Sequence, residues 1–481
     1  MIDYNRGIIG KIARFQASGA YPVLFAALCA ISGLCNKYVY IPILAILGAL
    51  VLFSALFVKD NKVFIVPIFM IYYALGTDNA NTYDATNGNV FASIDPAAWN
   101  FIVALAIAVV AALIVRFVLD GTFRGIARSK GKVFWSILLI DVALITNGLL
   151  YPGWSISNLL WGVLLAFSLT AFYLLFCSII KSHDDQIVVY TCKTMVLTAY
   201  IVLSQMLFKI LGALATNTLV YFNDATDRWA FNRNLFSMSG GITTRVGGVL
   251  ILGIPAAMYL ARSEKFPIFY SVSALLFAVT PFFMNTRASM LTGTVLVILG
   301  AMIVCASGKN RRLNILVFVS ALTALFLVIA GVLVHLNNTG KLSYYLDQLW
   351  LLARFDVLDD RLALLHIGEQ HFLSYPVFGA GILEGSAPGG MSYDNVFANM
   401  YHNIAIQFCA SMGLVGIAAF IFHLKDFFTV GLRRPSVERV LLLLTPVAIV
   451  VLSLADNFFF YPNFMIFYAA FWALAEMDAG L

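Results

Sequence analysis

Apolar residues fall in blocks separated by short polar stretches, near 20–35, 38–58, 63–76, 98–119, 133–151, 158–180, 187–213, 246–261, 267–284, 288–307, 313–335, 402–424, 440–455 and 463–477. Many of these blocks have the roughly 17–25 residues that cross a bilayer as a helix. None shows the period-2 alternation of a barrel strand, and hydrocarbon admits no open sheet edge. The pattern predicts an all-α polytopic integral membrane protein with about fourteen transmembrane helices, and a single membrane domain over residues 1–481.

Composition agrees with that reading. Hydrophobic residues make up 61% of the 481 and charged residues 11%, against roughly 25% charged in soluble domains. The formal charge of +6 raises nucleic acid as a partner, but the distribution of charge points elsewhere. With the N-terminus inside, twenty of the 30 Lys and Arg residues fall in inside segments and nine in outside ones. That is the positive-inside asymmetry, and it places both termini in the cytoplasm. The opening MIDYNRGIIGKIARFQASG is too polar for a signal-peptide core and lacks a small-residue cleavage site, so the first span does the targeting. Six cysteines are scattered without metal or disulfide spacing and read as packing residues. No internal repeat and no soluble domain is visible.

Two outside segments are long, 214–245 and above all 336–401. An unstructured loop of that size is uncommon unless it is functional or disordered. Within the second, Leu342, Tyr345, Leu346, Leu349, Trp350, Leu352 and Ala353 recur at helical spacing, which predicts an amphipathic helix at the membrane surface. A second helix is expected to start with Asp359 or Asp360 as N-cap and to end near Ser374-Tyr375-Pro376, followed by the glycine-rich GAGILEGSAPGG.

Ionisable groups within or beside a membrane are functional candidates, because leaving them there is costly. Asp141 and Lys193 lie within spans; a structural pair or a snorkelling side chain accounts for each, and a proton or ion relay is the alternative. The outer ends are richer. Arg287 opens a span in Asn285-Thr286-Arg287-Ala288-Ser289, Arg361 begins the second loop helix, and Arg233 and Arg245 close the other long segment. Singly, each reads as a surface cation. Together on one face they suit an anion, since planar guanidinium recognises phosphate through two parallel hydrogen bonds. Among six histidines, His402 stands at a span's outer edge in Tyr401-His402-Asn403, placed to take a proton from a hydroxyl near neutral pH. After nine intervening residues, Gly413-Leu414-Val415-Gly416 spaces two glycines for close helix approach. His366 and His371 read as solvated or packing residues, and His183, His335 and His423 as interface anchors at span ends. There is no Walker loop, dinucleotide fingerprint, HExxH, serine elbow or DxD pair, and the inside segments are too short for a nucleotide-binding domain. Any activated donor must reach the site from the membrane.

His402-Asn403 with Gly413-x-x-Gly416 after a long external loop resembles the signature of the O-antigen polymerase and O-antigen ligase superfamily. Thr286-Arg287-Ala288-Ser289-Met290-Leu291 is similar to the Ser-Arg start of a span in that family, with Thr286 where Ser is usual. Arg361 followed by Tyr375-Pro376-Val377-Phe378-Gly379-Ala380-Gly381 resembles its Arg…Pro-x-x-Gly-x-Gly loop. The likeness covers about 230–425. It departs from the family at 235–245, where the expected glycine-proline-asparagine stretch is missing, leaving Arg233 and Arg245 as rivals for a third cation.

The resemblance implies a membrane-embedded glycosyltransferase of the bacterial cytoplasmic membrane, metal-independent and without cofactor, working on the extracytoplasmic face. The implied donor is a glycan on undecaprenyl diphosphate, and the acceptor a glycan on a lipid. Catalytic roles fall to His402, Arg287 and Arg361, and substrate binding to Arg245, Arg233, Asn403 and Tyr401. The leading expectation is a polysaccharide polymerase of O-antigen or capsule type, with membrane lipids and a chain-length regulator as partners and no nucleic acid. An O-antigen ligase acting on lipid A–core is the near alternative. A flippase for lipid-linked oligosaccharide is the alternative from another class, though transporters place their charge at the midplane and often show repeated halves.

Overall fold

A computed structural model describes residues 7–34, 37–74, 96–119, 122–183, 186–215, 243–284, 286–307, 311–338, 340, 358–384, 400–432 and 436–477. Every regular element among them is helical. In chain order these are α1 (Ile8–Gln16), α2 (Ala20–Ser32), α3 (Lys37–Phe57), α4 (Ile65–Met70, flanked by single 3₁₀ turns), α5 (Pro96–Leu119), α6 (Thr122–Arg128), α7 (Phe134–Ile145) and α8 (Ile156–Ala166). The π-turn Phe167–Ala171 joins α8 to α9 (Phe172–Lys181), and α10 (Gln186–Ala215), α11 (Thr243–Ser263), α12 (Pro267–Met284), α13 (Arg287–Ser307) and α14 (Arg311–Asn338) follow. The last are α15 (Leu358–Ser374), α16 (Ile404–Leu432), α17 (Val437–Leu452) and α18 (Pro462–Met477).

Each apolar block of the sequence coincides with a helical segment. Length and composition qualify five of them to cross a membrane: Ile156–Lys181, Gln186–Phe208, Arg245–Ser263, Arg287–Ser307 and Ile404–Val430, with the pair α1–α2, bent by 81°, as a sixth if it counts as one span. The protein is therefore a polytopic membrane protein, with five or six such spans among the described residues, a count that does not establish the expected fourteen. Several other apolar helices, such as α7, are too short for that test. The expected amphipathic helix over 342–353 lies outside the described residues. The second loop helix is present as α15, ending at Ser374 and starting just before the two aspartates.

α11 is the centre of the bundle. It packs against α10, α12, α13 and α17, and nearly all of its residues are buried. Consecutive glycines at its start make this possible. A Cβ on Gly247 would lie 3.0 Å from the hydroxyls of both Thr286 and Ser289 at the start of α13. One on Gly248 would lie 2.3 Å from the Phe458 ring. The pair thus lets two other chain segments close on the first turn of α11.

The second organising feature corrects the expectation for Gly413 and Gly416. They do not form a helix-packing stripe: Gly413 adopts φ 60°, ψ −148° and breaks α16, a conformation essentially reserved for glycine. The break takes in the chain after α15. The N–H groups of Leu414 and Val415 donate to the carbonyls of Pro376 (2.7 Å) and Val377 (3.3 Å), while Ala380 and Gly381 donate to those of Ala410 (2.8 Å) and Ser411 (3.1 Å). Backbone groups freed by the break are thereby satisfied, as burial demands. A Cβ on Gly413 would sit 2.5 Å from the Pro376 oxygen, and one on Gly379 2.2 Å from the Ser411 backbone.

Candidate active site

His402 lies just before α16 and is the only non-glycine residue with positive φ (52°) among the described residues. That costs free energy, and neighbouring contacts hold it in place. Its backbone N–H donates to the Asn457 side-chain oxygen at 3.0 Å, and the next peptide is tied by Ile404 N–H to the Ser453 carbonyl at 2.7 Å. Asn403 is the cap of α16: its side-chain oxygen accepts from Ala405 (3.0 Å) and Ile406 (3.2 Å), and its amide donates to the Leu454 carbonyl (3.0 Å). This is what an N-cap asparagine does for orphan helix donors.

The turn brings the imidazole Nδ1 to 3.0 Å from Asp456 Oδ1. Burial by itself would raise the Asp456 carboxyl, but the hydrogen bond and charge of His402, the Asn457 N–H and the Arg245 charge together hold it below the usual carboxylate range. Asp456 is therefore ionised and accepts only, so the Nδ1 hydrogen points at it and the Nε2 lone pair is left open. Nε2 meets no hydrogen-bonding group among the described residues. The His402 side chain is 35% exposed and the Asp456 side chain 13%, so the dyad has a buried orienting end and an accessible basic end.

Arg245 joins this group from the first turn of α11. It is buried, its guanidinium 4.1 Å from the Tyr461 ring centroid. Tyr461 follows the turn that bears Asp456, and the same segment places Phe458 on Gly248. The sequence Arg245-Val246-Gly247-Gly248 therefore presents a cation and, one turn on, the clearance that lets Asp456 and Tyr461 reach it.

Of the other expected residues, Arg287 opens α13 with an exposed side chain, on the element whose Thr286 and Ser289 press on Gly247. Tyr401 is buried, its N–H donating to Gln407 Oε1 at 2.9 Å and its hydroxyl bonded to His371 Nδ1. Arg361 lies in the first turn of α15, and its side chain is outside the described residues, as is all of Arg233. The structure brings together His402 and Arg245, and sets the start of α13, where Arg287 stands, against the same turn of α11.

Asp456, Asn457 and Tyr461 escaped the sequence reading. The available signal was an acid in Ser453-Leu454-Ala455-Asp456-Asn457, at the edge between two apolar runs, where a charge calls for a partner. Elsewhere the pairing is structural. Lys193 meets Glu264 at 3.1 Å. Asp141 is buried where α7 packs on the π-turn. His423, expected as an interface anchor, is instead buried between Ser136 Oγ (3.0 Å) and the Tyr468 hydroxyl (2.5 Å). His183 bonds Asp60 at 2.8 Å.

Residues 272–421 match the O-antigen ligase family. The matched segment runs from α12 through the first half of α16 and contains Arg287, Arg361 and His402. The likeness is to a family described as O-antigen ligase and covers less than half of the chain. Arg245, Asp456 and Tyr461 lie on either side of the O-antigen ligase segment. No curated protein matches the chain.

Proposed function

We propose that this protein is a polysaccharide polymerase of O-antigen or capsule type. In this reading it transfers a glycan from undecaprenyl diphosphate to a lipid-linked repeat unit, on the extracytoplasmic face of the bacterial cytoplasmic membrane. The observation that carries it is the His402–Asp456 pair set beside buried Arg245. It joins a general base to a fixed cation, the two groups that glycosyl transfer from a diphosphate requires.

In the reaction, the acceptor hydroxyl oxygen bonds to the anomeric carbon as the bond from that carbon to the diphosphate oxygen breaks. The hydroxyl proton passes to His402 Nε2, and Asp456 stabilises the imidazolium that forms. The electron pair of the broken bond leaves on the diphosphate, whose growing charge Arg287, Arg361 and Arg245 are assigned to balance. Preorganised cations in a dry site are worth more than in water because they need no reorganisation, and arginines can serve where other enzymes use a metal. A lipid-borne donor is consistent with the absence of nucleotide motifs.

The ligase alternative, with lipid A–core as acceptor, is favoured by the description of the matched family. Deleting the gene and separating surface glycans by gel separates the two readings. The polymerase reading expects lipid cores capped with single repeats. Long polymer stranded on the carrier lipid overturns it in favour of the ligase.

A further inference from the structure

A second cluster lies next to His402 and takes no part in the chemistry above. Tyr151, on the turn after α7, packs edge-on to Tyr375 at 4.9 Å between ring centroids and 6.3 Å from the His371 ring. His371 in turn packs edge-on to Tyr401 at 6.1 Å and shares a hydrogen bond with its hydroxyl. Tyr151, Tyr375 and His371 are half-buried. Tyr401 is the residue before His402, so the cluster continues directly into the basic group.

Glu384 completes the cluster. Asn158 donates to its Oε1 at 3.1 Å, and Oε2 has no hydrogen bond among the described residues. Burial raises this carboxyl above its ordinary range, against the Asn158 hydrogen bond that lowers it. Burial also raises the Tyr401 phenol, and the Glu384 charge adds to that rise; backbone N–H hydrogen bonds tie the Glu384 segment to the turn that carries Tyr151.

The support beneath Glu384 is rigid. Ile382 and Leu383 N–H groups donate to the side-chain oxygens of Asn147 (2.9 Å) and Asn158 (3.0 Å), both fully buried. The Gly148 N–H donates to the Phe378 carbonyl at 2.8 Å, and Gln407 holds the Ile382 carbonyl at 3.0 Å. A half-buried carboxylate with an open oxygen, held by buried Asn158 on a segment pinned through Asn147, is costly to build unless a ligand supplies donors.

Sugar hydroxyls are such donors, and the C–H face of a pyranose is the apolar surface a tyrosine ring receives. Phosphate fits poorly, since Glu384 would repel it. We propose that Tyr151, Tyr375, His371 and Glu384 form the subsite for the acceptor's sugar and aim its hydroxyl at His402. This rests on the glycosyl-transfer reading. Glu384 is a binding residue, and His371 holds Tyr401 in place beside it. A plain interfacial tyrosine anchor needs no carboxylate.

The test uses the full-length protein in proteoliposomes, with lipid-linked glycan donor and glycolipid acceptor extracted from cells lacking the gene. Each substrate is titrated in turn. Glu384→Gln, which keeps an oxygen for Asn158, and Tyr375→Ala are expected to raise the acceptor KM at least tenfold and to move the donor KM less than twofold. An acceptor KM within twofold of wild type in both variants overturns the inference and leaves the enzyme reading intact. Loss of protein from the vesicles with both KM values unmoved marks a lipid anchor and also overturns it. If the wild-type protein transfers nothing from any of these extracts, the functional reading itself falls and takes the subsite with it.

Discussion

Asp456→Asn exchanges one carboxylate oxygen for an amide nitrogen and leaves the shape of the turn unchanged. Its effect follows from the crowding at His402 Nδ1. That nitrogen is 3.0 Å from Asp456 Oδ1 and 3.1 Å from the Asn457 amide nitrogen. With a carboxylate present, Nδ1 carries the hydrogen and donates, so it does not accept from the Asn457 amide. With an amide at 456, two donors can converge on Nδ1. The imidazole then turns to the other tautomer, its hydrogen on Nε2, and loses the lone pair that faces the acceptor. General-base catalysis contributes about 10²–10⁴ in rate, so transfer at saturating substrate should fall by that factor, about 3–5 kcal/mol of barrier. Donor and acceptor KM should change little.

Stability gives an independent sign. A carboxyl held below its ordinary range contributes stability that is present above the unfolded-chain value and is lost as pH falls through the folded value. Asp456→Asn should therefore flatten the acid side of the melting curve. The assay is transfer between lipid-linked glycans in proteoliposomes, followed by gel mobility from about pH 5 to pH 9 across the range where histidine titrates. A variant within threefold of wild type would falsify the dyad.

Two further outcomes test the frame around this pair. Gly413→Ala puts a Cβ 2.5 Å from the Pro376 oxygen at φ 60°, costing about 1–3 kcal/mol in backbone strain and up to about 1 kcal/mol for each of the cross-loop hydrogen bonds it disturbs; amide exchange over 377–383 should accelerate, and unchanged protection there contradicts the account of the broken helix. Arg245→Lys keeps the charge but loses the planar stack on Tyr461, and a desolvated cation–π contact of about 2 kcal/mol predicts a drop of about 10- to 30-fold in kcat/KM for the lipid-linked donor; a value within threefold of wild type removes Arg245 from donor handling.

Much of the architecture was legible in one dimension, because a helix in lipid must be apolar over its own length and that is a local property. The apolar blocks mark the helices, and the order of Arg287, Arg361, His402 and Gly413-x-x-Gly416 carries the resemblance to the O-antigen ligase family. The break at Gly413 was not legible. Glycine permits a positive φ without requiring it, and the demand comes from Pro376 and Val377, nearly forty residues earlier in the chain. Asp456 was hidden for a similar reason: an acid at the edge of an apolar run has no meaning until its partner is known, and the partner lies 54 positions away. Arg245 and Arg233 were equal candidates by sequence. Arg245 gained its place at the dyad because Gly247 and Gly248 let α13 and the Phe458–Tyr461 segment close on the first turn of α11. Sequence alone determined which residues carry charge and which segments are apolar enough for lipid; tertiary packing decided which of those charges meet, because the pairings join segments far apart in the chain.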